Sequence, residues 1–270
     1  MYFYDIIVNI TDLKGRTIFD MGRGQKQIEG QLTFNFCLDT GNYVCQANRL
    51  VGGKQALNLN SAKLIRSAIM QVVRDDEELK PYIITITELA KLLNVSKNNI
   101  YRDIDSITED IINNPVYIKE EVGKKVRWIK IPWVTRCEYN SDIGVLLKLN
   151  DELKPFLLNL KEHYTQYTLD NILAMKSVYA IRLYELFQSK IYTKLIPKSG
   201  MDIELSVDTI RECCGCEGKS YDAFSNLRSR VIDKAVDEIN EKTMYSIKYD
   251  YVKKGKSVIG LIFHINMKYH

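Results

Sequence analysis

Residues 82–131 decide the fold, and they read YIITITELAKLLNVSKNNIYRDIDSITEDIINNPVYIKEEVGKKVRWIKI. An extended run over 82–86 precedes Thr87, which we predict to cap a helix over 88–93. A tight turn over 94–96 leads into a second helix, whose buried face is marked by isoleucines at steps of four, three and four. These are Ile100, Ile104, Ile107 and Ile111. The stretch therefore begins as two helices joined by a short turn.

The second helix, which we predict Ser96 to cap, ends before Pro115. Two strand-like runs follow over 116–119 and 126–131, and a glycine-containing connection joins them into a hairpin. A further helix precedes the stretch, since Ser61 can cap a segment whose apolar residues recur at helical spacing. Helix, short strand, helix, turn, helix and hairpin is the order of a winged helix-turn-helix.

The second half of the chain repeats this order. A strand-like run over 144–149 and a helix over 153–164 lead to a long helix over about 170–191. Apolar residues surround most of this long helix, so we expect it to be buried on several sides. A short strand follows over 203–205, and Ser206 is placed to cap the next helix. The remaining elements are that helix over 207–214, a turn at Gly215, a third helix over 221–241, and hairpin strands over 245–252 and 258–267.

The duplicated order predicts an α+β fold of two tandem winged helix-turn-helix domains, predominantly helical with β-hairpin wings. We predict an N-terminal extension over residues 1–45, a first domain over 46–139 and a second over 140–270. The extension contains β-like runs over 2–10 and 32–38. Its glycines lack the spacing of a phosphate-binding loop. Either a small added sheet or a partly ordered arm fits it, and its role stays open.

Composition describes a globular chain of two ordinary domains. Of its 270 residues, 46% are hydrophobic and 27% charged, and the net charge of +4 is only mildly basic. The sequence contains no apolar run of the roughly 18–20 residues that a membrane span needs. The N-terminus also lacks the features of a secretory signal. We therefore predict a cytoplasmic protein without membrane association.

The sequence lacks the constellations of an enzyme. It contains neither a Walker-type nucleotide loop nor a nucleophile elbow. Seventeen tyrosines raise the possibility of DNA nicking, but such enzymes need clustered histidines to hold a metal. Cys213, Cys214 and Cys216 could suggest a metal site, yet no second ligand pair accompanies them, so a packing role is favoured. We predict no catalytic residues, cofactor or metal.

Positive charge points to DNA as the ligand of the second domain. A winged helix places its third helix in the major groove and its hairpin along the phosphates. Between Lys219 and Lys256 there are nine Lys and Arg residues against six Asp and Glu, and most of the acids fall late in the helix. A capped, solvated surface is the alternative interpretation. The candidate DNA contacts are Lys219, Ser225, Asn226, Arg228, Ser229, Arg230, Lys253, Lys254 and Lys256.

The first domain carries a weaker version of the same pattern. Acidic residues follow its basic helix start closely, so we expect a weaker or phosphate-positioning role. The tryptophans Trp128 and Trp133 are predicted to lie in the core, with stacking on bases as the alternative. The candidate contacts here are Lys97, Asn98, Asn99, Tyr101 and Arg102 in the helix and Lys124, Lys125 and Arg127 in the wing.

Several segments carry a further signal when taken together. They are FLLNLK (156–161), YTQY (164–167), KSVYAIRLYEL (176–186), LRSRVI (227–232), AVDEIN (235–240) and KKGK (253–256). The set resembles the iteron-binding plasmid replication initiators, a superfamily of two tandem winged-helix domains. Weaker similarity begins at Asn48. Residues 1 to about 45 have no counterpart, and the cysteine cluster replaces a turn that is usually aliphatic.

The resemblance implies a mechanism without covalent catalysis. Monomers would bind tandem origin repeats in double-stranded DNA, help to open the duplex, and recruit the host initiator ATPase and replicative helicase. Homodimers, formed through the first domain, would repress the protein's own promoter. By the same resemblance, Arg228, Ser229 and Arg230 are the first DNA contacts, and Ser177, Arg182 and Glu185 tie the domains together. The alternative function is a winged-helix transcriptional repressor without initiator activity, and the third functional hypothesis is a nicking enzyme.

Overall fold

The computed structural model describes residues 43–73, 76–123, 125–191 and 196–268. The predicted β-like runs over 2–10 and 32–38 and residue Lys124 lie outside this part. The first described element is strand β1 (Tyr43–Ala47), which pairs antiparallel with a strand over residues 164–168. The end of the predicted extension is therefore part of the folded domain.

The first winged helix has the predicted order of helices and strands. Its helices are α1 (Asn48–Val51), α2 (Leu59–Met70), α3 (Ile86–Leu93) and α4 (Lys97–Asn113). Its strands are β2 (Pro81–Thr85), β3 (Val116–Val122), β4 (Lys125–Ile131), β5 (Val134–Asn140) and β6 (Gly144–Leu149). Strands β2, β6 and β5 form one antiparallel sheet, and β3 and β4 form the separate wing hairpin. The predicted domain boundary between residues 139 and 140 falls inside the pairing of β5 with β6.

Two predicted helix caps are wrong by a few residues. Thr85, not Thr87, caps α3, because Glu88 stands three residues later and completes a reciprocal capping box. The Glu88 amide donates to Thr85 Oγ1 at 3.3 Å, and the Thr85 amide donates to Glu88 Oε2 at 2.8 Å. Asn58, not Ser61, caps α2 by accepting from the Ser61 amide at 3.0 Å. Ser61 lies inside the helix and donates to the Ile107 carbonyl at 3.2 Å.

The helices predicted over 153–164 and 170–191 are also corrected. The first range contains the end of a 3₁₀ turn (Asp151–Leu153) and the short helix α5 (Lys154–Leu157), and strand β7 (Tyr164–Thr168) follows. Extended backbone at Leu158 ends the helix, and Asn159 and His163 beyond it are left-handed, with φ of 51° and 52°. The second range forms α6 (Leu169–Ala174) and α7 (Val178–Ile191). These two helices are separated because Met175 is extended.

The second winged helix follows its predicted order closely. Its first elements are β8 (Met201–Ser206) and α8 (Val207–Cys214). Its third helix consists of α9 (Phe224–Leu227), a π turn (Arg228–Ile232) and α10 (Asp233–Lys242). The wing hairpin follows, formed by β9 (Tyr245–Lys254) and β10 (Ser257–Met267). Ser206 caps α8 as predicted, by accepting from the Thr209 amide at 3.0 Å. Gly215 supplies the turn after α8 as predicted, and it does so in the left-handed conformation, with φ of 65°.

Helix α7 is buried on most sides, as its sequence predicts. The Arg182 guanidinium donates to the carbonyls of Val51 at 2.6 Å and Gly53 at 2.8 Å, and to the carbonyl of Cys213 at 3.1 Å. Because Val51 belongs to the first winged helix and Cys213 to the second, Arg182 joins the two. Ser177, by contrast, bonds the Tyr179 amide within the same segment.

Glu185 is a fully buried carboxylate beside Arg182. Arg66 of α2 donates to both its oxygens at 2.9 Å, and Arg182 donates to Oε2 at 2.5 Å. The Tyr167 hydroxyl also donates to it. Burial alone would raise the pKa of Glu185, but the two guanidiniums lower it to about 2. Glu185 therefore holds in place the Arg182 guanidinium, whose Nε donates to the Cys213 carbonyl of the second winged helix.

The cysteine cluster is part of the protein interior. Cys213, Cys214 and Cys216 are free thiols and buried, which agrees with the predicted packing role. In the described ranges, no group of three His, Cys, Asp or Glu side chains is arranged to hold a metal ion. None of the helices described is both long enough and apolar enough to cross a membrane.

Candidate DNA-binding surface

The third helix of the second domain, residues 224–242, has one buried and one exposed side. Its inner side is formed by Leu227, Val231, Ala235 and Ile239, each of which is at most 1% exposed. The outer side of its first half carries polar and basic groups. Ser225, Arg228, Ser229 and Arg230 are exposed and Asn226 is half-buried. The predicted contacts of this helix therefore share the solvent-facing side, as a groove-binding helix requires.

Arg228 faces the wing of the same domain. Its Nη1 donates to the Tyr251 hydroxyl at 3.2 Å, and Tyr251 lies two residues before Lys253 in β9. The Lys253 ammonium lies 5.8 Å from the centre of the Tyr251 ring. Tyr251 therefore links the basic helix start to the basic wing.

The wing tip is a lysine-rich turn between β9 and β10. Lys253, Lys254 and Lys256 are exposed, and Gly255 takes the left-handed conformation with φ of 62°. Lys219 is exposed in a short 3₁₀ turn before the helix. Several cations thus border the exposed side of the helix, an arrangement suited to phosphate contacts.

The described cations of the first domain lie on the start of α4 and on its wing. Lys97 and Arg102 are exposed on α4, but Arg102 Nε lies 3.3 Å from Asp103 Oδ1. The backbone of Asn98, Asn99 and Tyr101 belongs to the start of α4, and their side chains are outside the described part. On the wing, Lys125 is exposed, and Arg127 lies 3.9 Å from Glu120. Among the described residues of this surface, two of the cations therefore lie beside carboxylates.

Trp128 corrects one expectation, because 43% of it is exposed on the first wing. The β3–β4 hairpin is a two-stranded sheet by itself, so the side chains near its tip lack a covering layer. The Lys119 ammonium lies 5.9 Å from the ring centre. Trp133 is fully buried, as predicted.

Three residues of the second-domain surface were absent from the predicted set: Asp233, Tyr249 and Tyr251. They surround Arg228, with Asp233 Oδ2 at 3.6 Å from its Nε and the Tyr249 hydroxyl donating to Asp233 Oδ1 at 2.5 Å. The two tyrosines stand at alternate positions of β9, which places them on one face of the strand. That alternation is a signal in the sequence that could have found them.

Comparison with known families decides the assignment of these domains. The family model "Initiator Replication protein, WH1" matches residues 43–188, and "Initiator Rep protein, WH2" matches residues 206–265. The first match alone covers more than half of the chain. The chain belongs to the initiator replication protein family. The predicted fold of two tandem winged helices is thereby confirmed.

Individual relatives of this initiator are distant in sequence. A "Replication initiation protein" of Escherichia coli is 23% identical over 228 residues, which cover 83% of this chain and 69% of the relative. An "Uncharacterized 27.6 kDa protein" of Escherichia coli is 23% identical over 232 residues, covering 81% and 93%. Among solved structures, the Pi initiator protein in complex with iteron DNA is 18% identical, with a TM-score of 0.69 over 85% of this chain and 98% of that one. This structural likeness shows the fold.

Proposed function

We propose that this initiator binds tandem repeats at a plasmid replication origin, chiefly through its second domain. One observation carries the proposal: the exposed basic helix start and the lysine wing are joined through Arg228 and Tyr251 into one surface. The crystal structure of the related Pi initiator in complex with iteron DNA supports repeats as the ligand.

In the proposed complex, the first half of the 224–242 helix enters the major groove. Arg228 and Arg230 would donate to guanine edges and Asn226 to adenine, the pairings that these side chains form best. Lys253, Lys254 and Lys256 would neutralise phosphates and fix the register without reading sequence. The α4 helix and the wing of the first domain would add weaker contacts.

The division of the chain is part of the proposal. We place the first domain from about residue 43 to 191 and the second from about 201 to 268, since β6 pairs with β2 and β5. The two family matches support this division. Helix α7 then forms the last element of the first domain and the base on which the second one packs.

Initiation would proceed without covalent catalysis. Several bound copies would help to open the adjacent duplex and recruit the host initiator ATPase and replicative helicase in the cytoplasm, as the family resemblance implies. Homodimers would repress the initiator's own promoter. Exposed Val126 and Trp128 on β4 support self-association through the first domain, because exposed apolar side chains gain from being covered.

Removing the wing lysines tests the proposed pairing of the wing with phosphates. The triple replacement of Lys253, Lys254 and Lys256 by Ala should weaken binding to every sequence and flatten the salt dependence. The slope of log K against log salt should fall by about 0.9 for each phosphate that is no longer neutralised. The measurement is a salt titration on origin repeats and on random DNA.

Lys242→Ala is the matched control, since Lys242 stands at the far end of the 224–242 helix and pairs with Glu241 at 2.6 Å. It should leave the slope unchanged. An unchanged slope in the triple variant would show that the wing does not touch DNA.

A further inference from the structure

The 224–242 helix widens at its most basic point. In the π turn, the Asp233 amide donates to the carbonyl of Arg228, five residues earlier. In an uninterrupted α-helix, side chains five residues apart point about 140° away from each other around the axis. The wide turn is therefore what brings the Asp233 carboxylate to the Arg228 guanidinium. Such turns are rare and often occur at functional sites.

Two groups contact the Arg228 guanidinium, Asp233 and Tyr251. Asp233 Oδ2 lies 3.6 Å from Nε, and the Tyr251 hydroxyl accepts from Nη1 at 3.2 Å. Asp233 is itself fixed, since the Tyr249 hydroxyl donates to its other oxygen at 2.5 Å. The Tyr251 ring packs edge-on against Phe224 and Tyr249, with centroids 5.7 and 5.9 Å away. The partners of Arg228 are thus held by other side chains.

The arrangement orients Arg228 more than it stabilises the fold. The side chains of Arg228 and Asp233 are 44% and 42% exposed, and ion pairs this exposed contribute little to stability. A guanidinium has five N–H donors in a rigid fork. With the Asp233 carboxylate beside Nε and the Tyr251 hydroxyl accepting from Nη1, the Nη2 donors are the ones that face a base.

We infer that Asp233, with Tyr249 and Tyr251, positions Arg228 as a reader of a base edge and keeps it from acting as a phosphate clamp. This inference rests on the proposed function. A free arginine at a groove would pair with whichever phosphate lies nearest, on any sequence. The Asp233 carboxylate opposes that pairing by offsetting the positive charge of Arg228 and by repelling phosphates.

Asp233→Asn is the direct test. Discrimination at the base pair that Arg228 reads should fall roughly fivefold or more, the lower end of what a bidentate contact supplies. Binding to random DNA should become tighter, and its salt slope steeper by up to about 0.9, as Arg228 takes a phosphate. The base pair is first located by comparing the wild-type protein with Arg228→Ala on single-substituted repeats.

Two further variants separate orientation from charge and from folding. Tyr251→Phe keeps the packed ring and removes only the hydroxyl, so discrimination at the same base pair should fall while random binding stays unchanged. Asp237→Asn removes an exposed charge four residues further along the same helix and should leave discrimination intact.

The outcomes also distinguish this inference from the proposed function. Wild-type protein that shows no preference for any repeat would defeat the proposed function itself. Wild-type protein that discriminates, together with Asp233→Asn and Tyr251→Phe proteins that discriminate equally well, would overturn the inference. An Asp237→Asn protein that loses as much discrimination as Asp233→Asn would overturn it too.

Discussion

Glu185→Gln should lower the free energy of unfolding by about 3–5 kcal/mol, because it leaves the guanidiniums of Arg66 and Arg182 buried without their counter-ion. The loss should be visible as a lower denaturant midpoint in urea. It concerns both winged helices at once, since Arg182 donates to the carbonyls of Val51 and Cys213. We therefore expect a single cooperative transition at lower urea.

The matched control is Lys80→Ala, which breaks the surface pair of Lys80 with Asp76 at 2.6 Å. That change should cost no more than about 1 kcal/mol. If Glu185→Gln cost as little as Lys80→Ala, the buried ion cluster would not be stabilising the fold.

The same residue predicts an acid dependence. The pKa of Glu185 is lowered from 4.5 to about 2 in the folded chain. Its stabilising contribution is therefore complete above the unfolded pKa of 4.5 and is lost as pH falls from 4.5 through 2. Across this window, wild-type stability should fall more steeply than that of Glu185→Gln. Parallel curves for the two proteins would contradict the assignment.

The second large effect concerns sequence discrimination. Arg228→Ala or Arg230→Ala should each lose roughly 1–3 kcal/mol of discrimination at particular base pairs of the repeat. Binding should be measured on the cognate repeat, on single-base variants of it and on random DNA. The two arginines should affect different base pairs, because Arg228 is held toward the wing by Tyr251.

Thermal melts should show both variants folded, since each side chain is exposed. Ser220→Ala, an exposed polar change just before the helix, serves as the neutral comparison. Equal weakening on cognate and random DNA would mean that the arginines contact only phosphates.

Local signals explain why so much of the fold was predictable. The Ser206 cap and the turn at Gly215 are set by residues within one helical turn, and both were predicted correctly. Thr87 was wrong for a local reason as well, since Glu88 favours the cap three residues before it. The inward side of the 224–242 helix followed from periodicity alone.

Features that depend on distant segments were missed. The pairing of β1 with β7 joins strands more than a hundred residues apart, and neither strand shows its partner in the sequence. Trp128 was assigned to the core because large apolar side chains usually are buried; its hairpin simply lacks a covering layer. The DNA-binding surface shows the same split between local and distant signals. Arg228 was predicted from the sequence, but its partners Asp233 and Tyr251 were not, because their contacts with Arg228 depend on a π turn and on a separate strand.

Footprinting of the purified protein on the DNA that flanks its gene tests most directly whether the protein binds tandem origin repeats. We expect protection of several tandem repeats of one sequence, and the Lys253, Lys254 and Lys256 triple variant should need a higher protein concentration to give the same protection. A lone protected palindrome would favour a repressor. No protected site at all would contradict the assignment of the helix and wing surface to DNA.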